Sequence, residues 1–546
     1  MKKMKKKRTL AMLLSFAMAA GLFAGCGKTQ QEPNTNDAKP AAQAAGQEEK
    51  DGQTKEKELR IAVSETMGDF DASQGNGSTI LLEIARLGET LVNVDNNFML
   101  QPNLATDWET TDELTWVFNL RDDVTFHDGS KFNAEAVKWW LEKTRDNMPS
   151  FDTYTHIKSV DVLDEYKVQF NLNKPFSELP EALTNQCAMI LSKTSFNDDG
   201  TFNTPIGTGY FRFESFDPSK SVLTLVPYEN YWAGKPDSSI TRRVIRSIPD
   251  PSTRALAASN GEVDIAADVP FSDLKGLESD ENVRVEKFNS ARTYIYSFNL
   301  DKEYLQDVNV RKALVYAINR QEIVDKILLG VGGVAKGPMM ENVPWSNQDA
   351  EMYDYDPEMA KQLLDEAGFV DSDNDGIREY KGQEVKIKII TDTYRPGNVL
   401  IAQAVQGYYS QIGLDSEAQA LDFNTVKAVT EEGDFDLTAS SIASCYIPSA
   451  SYYITQCYYS GLNTPKSARY SNPELDKLID QCAAESDQAK KYELSRQAQA
   501  MAMEDLSTFT MALYGAVFIL NPNITGFDYS PAVHDFVVPI TTDIAD

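Results

Sequence analysis

The chain is poor in the residues from which most catalytic and metal sites are built. Histidine occurs three times in 546 residues, at His127, His156 and His534, and cysteine five times. The cysteines form no CxxC pair, which excludes a zinc ribbon and a disulfide-dense scaffold. No HExxH, GxSxG or P-loop sequence occurs, so the commonest zinc-hydrolase, serine-hydrolase and nucleotide-hydrolysis signatures are excluded. A Cys445–His534 nucleophile pair is the one enzymatic arrangement the composition leaves open, and nothing else in the sequence supports activity. Past the N-terminal segment no apolar run approaches the ~18 residues of a spanning helix. Basic residues are short as well: 52 Lys and Arg face 82 Asp and Glu, a net charge of −30. That balance argues against nucleic acid and against a surface that adheres to anionic lipid.

In one stretch even the plentiful acids are missing. Leu437 to Pro473, LTASSIASCYIPSASYYITQCYYSGLNTPKSARYSNP, holds no Asp or Glu. At the average density of this chain it should hold about 5 or 6. It is crowded with Tyr and Ser and carries Cys445 and Cys457, which could pair as a disulfide or stand as separate thiols.

What is present starts with a processing signal. MKKMKKKRTLAMLLSFAMAAGLFAGCGK has a lysine-rich start, an apolar run from Leu10 to Phe23, and small residues before Cys26. The end resembles a bacterial lipobox, which implies cleavage after residue 25 and lipidation of the Cys26 thiol; Phe23 stands where the usual Leu would be. Residues 26–57 are polar and nearly free of large apolar side chains, so a disordered tether is predicted. The remaining residues are too many for one simple core, and several lobes are expected.

Strand and helix signals alternate without a fixed repeat, which predicts a mixed α/β fold. KELRIAVSE alternates as a half-buried strand does. A turn is expected at Asp128-Gly129, and Asn133 should cap a helix opened by Ala134 and Glu135. VNVRKALVYAINRQEIVDKILLG predicts one helix stopping near Gly330, with Val310, Leu314, Ala317 and Ile318 on one face. Ser471 and Glu474 read as a capping box for NPELDKLIDQCAA, whose Leu475, Leu478, Ile479 and Cys482 share a face, making Cys482 a buried hydrophobe. DSDNDGIREYKGQE imitates a calcium loop through Asp371, Asp373, Asp375 and Gly376. The twelfth position is Gly382 instead of Glu, which argues against a calcium site. GVGGVAKG matches a loose dinucleotide fingerprint but follows a helix instead of a strand, and is set aside.

Several segments together resemble the extracytoplasmic solute-binding proteins of ABC importers, in the peptide/nickel family. They are WVFNLRDDVTFHDGSKFNAEAVKW, PIGTGYFRFESF with YENYWAGKP, IPDPSTRALAASNGEVDI, VRKALVYAINRQEIVDKILLGVGGVAKGPM, YDPEMAKQLLDEAGF and SNPELDKLIDQC. The resemblance implies an α/β, two-lobed periplasmic-binding-protein-like fold of type II, closing around a ligand. Lobe 1 would run over 58–295 with an inserted subdomain at about 99–204, lobe 2 over 296–515, and 516–546 would return to lobe 1. The resemblance also implies that DSDNDGIREYKGQE is a hairpin leading into EVKIKII. It implies a monomer that works with a permease and an ATPase, with no cofactor. It also implies cleft residues: Asn76, Ser78 and Leu81 early in lobe 1; Arg395, suited to a ligand carboxylate by its bidentate fork; and Cys445, Tyr446, Ser449 and Tyr452 in the acid-free stretch. Peptide receptors of the family carry an aspartate there for the peptide ammonium, and this chain does not. EALTNQCAMIL likewise has neutral residues where nickel receptors carry an arginine. His534 falls where the C-terminal segment returns to the cleft; it is either structural or a metal ligand. The implied cargo is a short peptide or peptide-like molecule, with a nickel or other metal chelate as the alternative, and opines, sugars or pheromone-type signals beyond these. A tethered sensor without transport is the reading from another class.

Overall fold

The computed structural model describes residues 56–533 and 536–545. Cys26, the signal segment, nearly all of the tether and His534 lie outside the described residues. Strand β1 (Glu58–Val63) opens a mixed sheet of ten strands, and Leu59, Ile61 and Val63 are fully buried. Ala62 is buried too, so both faces of the strand are covered, where the alternation predicted only one. Helix α1 (Asn76–Ile84) follows. Next come β2 (Ala105–Asp112), β3 (Thr115–Leu120), helix α2 (Ala134–Asn147), β4 (Ile157–Asp164) and β5 (Lys167–Leu172). The four strands form a separate antiparallel sheet in the order β2-β3-β5-β4. The turn before α2 is as expected: Gly129 has φ 82° and the Asn133 side chain accepts from the Ala136 amide.

The chain then returns to the large sheet through β6 (Phe211–Asp217), β7 (Val222–Pro227), β8 (Arg242–Ser247) and β9 (Ile265–Ala267). Strand β10 (Arg284–Phe298) leads out of that half. The second half holds helix α3 (Val308–Tyr316), β11 (Lys386–Asp392), helix α4 (Pro396–Gln411), β12 (Asp415–Leu421) and β13 (Leu437–Ala443). Helices α5 (Tyr452–Tyr458), α6 (Pro473–Ala484) and α7 (Gln488–Asp505) precede β14 (Thr508–Leu520), which crosses back.

The strand order is β12-β11-β13-β10-β14-β9-β1-β8-β7-β6. The fold is therefore the two-lobed α/β architecture, with β10 and β14 as the ribbon shared by both halves. Every residue of β14, TFTMALYGAVFIL, is buried, which suits thirteen residues without a charge in the middle of a covered sheet. Between Asn289 and Thr293 the pairing of β10 with β14 slips, so Ser290, Ala291 and Arg292 oppose Tyr514 alone. Such a bulge bends the strand and redirects side chains. Behind the ribbon, Gly332 at φ 87° approaches so closely that a Cβ would sit 2.2 Å from the Leu513 carbonyl oxygen. Within GVGGVAKG it is Gly332 that serves this close contact.

Two local expectations are corrected. The helix predicted through Gly330 ends at Tyr316, and a new turn starts at Arg320, because the Asn319 side chain caps the Glu322 amide and competes with helix continuation. The cap of α6 is Asn472, whose side chain accepts from the Glu474 and Leu475 amides, while the Ser471 hydroxyl bonds Ser460. In the acidic segment, short strands Phe369–Val370, Glu379–Tyr380 and Gln383–Glu384 make the expected hairpin. The Asp371, Asp373, Asp375 and Glu379 carboxylates lie within 4.8 Å of one another. Loop amides engage them: Gly376 donates to Asp371, Ile377 to Asp375 and Ser372 to Glu379.

Candidate functional site

Where the sheet passes from one half to the other, charged and tyrosine side chains converge on the bulge. Arg395 follows β11 and Asp268 follows β9, so they reach the site from opposite halves. Arg395 Nη1 lies 3.3 Å from Asp268 Oδ2, and the Arg395 side chain is 6% exposed. The Tyr514 hydroxyl donates to Asp268 Oδ1 at 3.4 Å. The Tyr514 ring lies 5.8 Å below the Arg395 guanidinium and 5.9 Å from that of Arg292, within cation–π range of both. Gly397, the second residue of α4, lets the helix start lie on Tyr294; a Cβ there would meet its hydroxyl at 2.1 Å. The space among these residues is about 10 Å³, the threshold for one water, so the two halves are shut on each other here.

The acid-free stretch forms the second part of the junction. Its Tyr446 carbonyl accepts from Asn185 at 2.9 Å, and its hydroxyl takes Gln186 at 3.4 Å and the Cys187 thiol at 3.3 Å. The Tyr446 and Tyr452 rings are 6.0 Å apart, and Tyr154 meets them edge-on at 6.1 and 6.2 Å. The stretch has no acid of its own, yet one is supplied to it. Glu178, with no exposed surface, accepts from the Ser451 amide at 3.2 Å and from its hydroxyl. Burial raises the Glu178 pKa, against the pull of Lys491 and the serine hydroxyls. Nearby Glu181 is pushed up to about 7 by burial, with Lys491 opposing and Glu178 adding to the rise. Burial holds the Tyr452 hydroxyl well above its ordinary pKa, with the Arg292 guanidinium pulling against that rise.

The expected site residues fall into three groups. Arg395, Tyr446, Ser449 and Tyr452 lie at the junction. Ser449 caps the Tyr452 amide at 3.2 Å. Ser78 donates to the Asp69 carbonyl at 2.9 Å, and Asn76 begins α1. Leu81 is 1% exposed in the core around β1; from the same helix it is Thr79 that bonds the Cys187 thiol. Cys445 is 2% exposed and belongs to the core of the second half, where burial pushes its thiol up to about 12. That is a poor setting for a nucleophile. Cys445 and Cys457 carry separate buried thiols, and no disulfide joins them. His127 is held in the interior, with Nε2 on the Gly209 carbonyl at 2.8 Å and Nδ1 accepting the Gly207 amide. Burial pushes both His127 and His156 down to about 4.

Sequence reasoning did not single out Asp268, Arg292, Tyr514, Glu178 or Tyr154. A signal existed for two of them. Arg292 interrupts an apolar strand segment, SARTYIYSF, and Glu178 sits among apolar neighbours in PFSELPEAL.

Among the described residues no helix is long and apolar enough to cross a membrane. Residues 99–464 match the family of bacterial extracellular solute-binding proteins, family 5 Middle. The chain is 26% identical over 491 residues to the glutathione-binding protein GsiB of Pectobacterium atrosepticum, covering 87% of this chain and 92% of that one. It resembles the crystal structure of a nickel ABC transporter from Bacillus halodurans, with 29% identity and a TM-score of 0.73 over 90% of this chain and 100% of that one. The oligopeptide-binding protein AppA of Bacillus subtilis, solved with a nonapeptide, shares the fold at 22% identity and a TM-score of 0.72, over 90% and 99% of the two chains. With a family match over most of its length and two lobes meeting at a crossing ribbon, this chain belongs to the bacterial extracellular solute-binding proteins of family 5.

Proposed function

We propose that the chain is the receptor subunit of an ABC importer, anchored through a lipid on Cys26, and that its cleft captures a short peptide or peptide-like solute for a membrane permease. The observation that carries the ligand reading is the Arg395–Asp268 pair: a guanidinium and a carboxylate joined across the cleft with the arginine nearly fully buried. A buried guanidinium needs compensating hydrogen-bond partners, here a carboxylate, and the fork that faces Asp268 suits the α-carboxylate of a peptide equally well. On this reading ligand entry opens the internal pair and the ligand carboxylate takes the place of Asp268. The acid-free wall offers tyrosine rings and serine hydroxyls, and its one supplied carboxylate, Glu178, is already engaged by Ser451, so the peptide ammonium is not the main handle.

The lobe limits proposed from the resemblance, 58–295 with an insertion at about 99–204, 296–515 and a return over 516–546, fit this role, because they put Asp268 and Arg395 on different lobes. Binding then favours closure by the difference in ligand affinity between open and closed forms. Kinship to a glutathione-binding protein and to a receptor solved with a nonapeptide supports a peptide. The 29% identity to a nickel ABC transporter keeps a metal chelate as the second reading, its carboxylates meeting Arg395.

Calorimetry on the mature protein with a tripeptide, its N-acetyl form and its C-terminal amide tests the peptide reading. Amidation should weaken binding by about tenfold or more, the worth of a charge-assisted pair, and acetylation by less than about threefold. A larger loss on acetylation than on amidation would sink the proposal. For the anchor, Cys26→Ser should release the protein from the cell surface into the medium.

A further inference from the structure

Beside Tyr452 the two halves line a partly open cavity of about 150 Å³. Tyr154, His156 and Phe176 line it from the first half, and Tyr452, Thr455 and Ile479 from the second. We propose that this cavity is a separate ligand subsite, which seats one uncharged aromatic ring carried by the captured solute. This deepens the peptide reading and rests on it for the identity of the group that bears the ring.

Four observations point to a ring. A cavity of this size lined by apolar groups is large enough for benzene. Its walls are rings already set edge-on to one another: Tyr154 to Tyr452 at 6.2 Å and His156 to Phe176 at 4.8 Å. An incoming ring would extend that arrangement, each such contact adding to the area it buries. The interior offers no net charge. Lys174 and Asp480 stand at its mouth as an ion pair at 3.5 Å, one from each half and both about half exposed. The carboxylate of Glu178, behind the wall, is taken up by Ser451. His156 is kept neutral at ordinary pH by burial. A charged group in the cavity would therefore lack a partner, whereas a phenyl or phenol ring would lose nothing. Because both halves supply walls, a ring held here also favours the closed form.

The same placement separates two jobs. Arg395 and Arg292 form a cationic end suited to a carboxylate, and this cavity is the apolar end beyond the Tyr446–Tyr452 pair. A solute that uses both carries an anionic group and an aromatic side group.

Two probes test the proposal on the mature protein. The first is p-cresol, followed by ligand-observed NMR, with Thr455→Trp filling the cavity from one wall and Thr153→Trp, on its exposed rim, from the other. Saturable binding that both substitutions abolish is expected; no binding, or binding that neither substitution changes, overturns the subsite. The second compares trialanine with the three tripeptides carrying one Phe, by calorimetry. At least one Phe peptide should bind about tenfold tighter than trialanine, the free energy of burying one ring, and T455W should cut that ratio below about twofold. Peptide binding with no preference for Phe overturns the subsite and leaves the peptide reading standing. If p-cresol binds as expected and no peptide does, the subsite stands and the peptide reading falls.

Discussion

The two ends of the cleft hold its halves together by different means. At the bulge a charged pair, Arg395 and Asp268, does so with Tyr514 beside them. Some residues away, Tyr446, Tyr452 and Tyr154 do so by shape and by neutral hydrogen bonds, and the acid involved comes from the opposite half as Glu178. A charged junction can be opened by any ligand that brings the same charge. A ring-lined junction must be filled. The charged side of the cleft is nearly closed at about 10 Å³, and the ring-lined side keeps a cavity of about 150 Å³.

The comparison can be broken from either end. Tyr446→Ala should have the largest effect on stability, about 3–5 kcal/mol in urea unfolding, because a large buried ring is lost with its hydrogen bonds. Tyr446→Phe should cost about 1 kcal/mol; equal losses for the two would show that the ring contributes little. Next, Arg395→Leu alone should cost roughly 3 kcal/mol by stranding Asp268, while Arg395→Leu with Asp268→Leu should return most of it. If the double variant is as unstable as the single one, the pair is not what joins the halves.

A smaller effect should follow pH. Glu181 has a folded pKa raised to about 7 against an ordinary 4.5. Between those values the folded state binds more proton than the unfolded one. Its contribution is therefore complete below about pH 4.5 and is lost as pH rises toward 7. Glu181→Gln should flatten that limb and stabilise the protein at pH 8 by roughly 1–2 kcal/mol; an unchanged pH profile would refute the assignment. The smallest effect concerns the buried thiols. With their thiols pushed up to about 12, native Cys445 and Cys457 should react with a thiol reagent only after unfolding.

Much of the fold was legible in the sequence because it depends on near neighbours. The alternation of Ile387 and Ile389 marks β11, Asn133 marks the start of α2, and the spacing of Leu475, Ile479 and Cys482 marks the buried face of α6. Where two local signals competed, the sequence misled: Asn319 won a cap from a longer periodic pattern, and Asn472 won one from the neighbouring Ser471. The site was legible only in part. Arg395 and the acid-free stretch stood out, but Leu81 points into the core and Cys445 into another.

By itself, then, the sequence determined the class of protein, the strands and helices, and the unusual neutrality of residues 437–473, all properties of composition and short-range period. Only the tertiary structure decided what those residues face. Asp268 lies 127 residues from Arg395, and Glu178 lies 273 from Ser451. Contacts at such separations are set by the crossing of β10 and β14 and by the bulge between them, and no local pattern encodes which side chains a folded ribbon will bring together. The acid missing from the stretch was missing only along the chain; the fold supplies it from the other half.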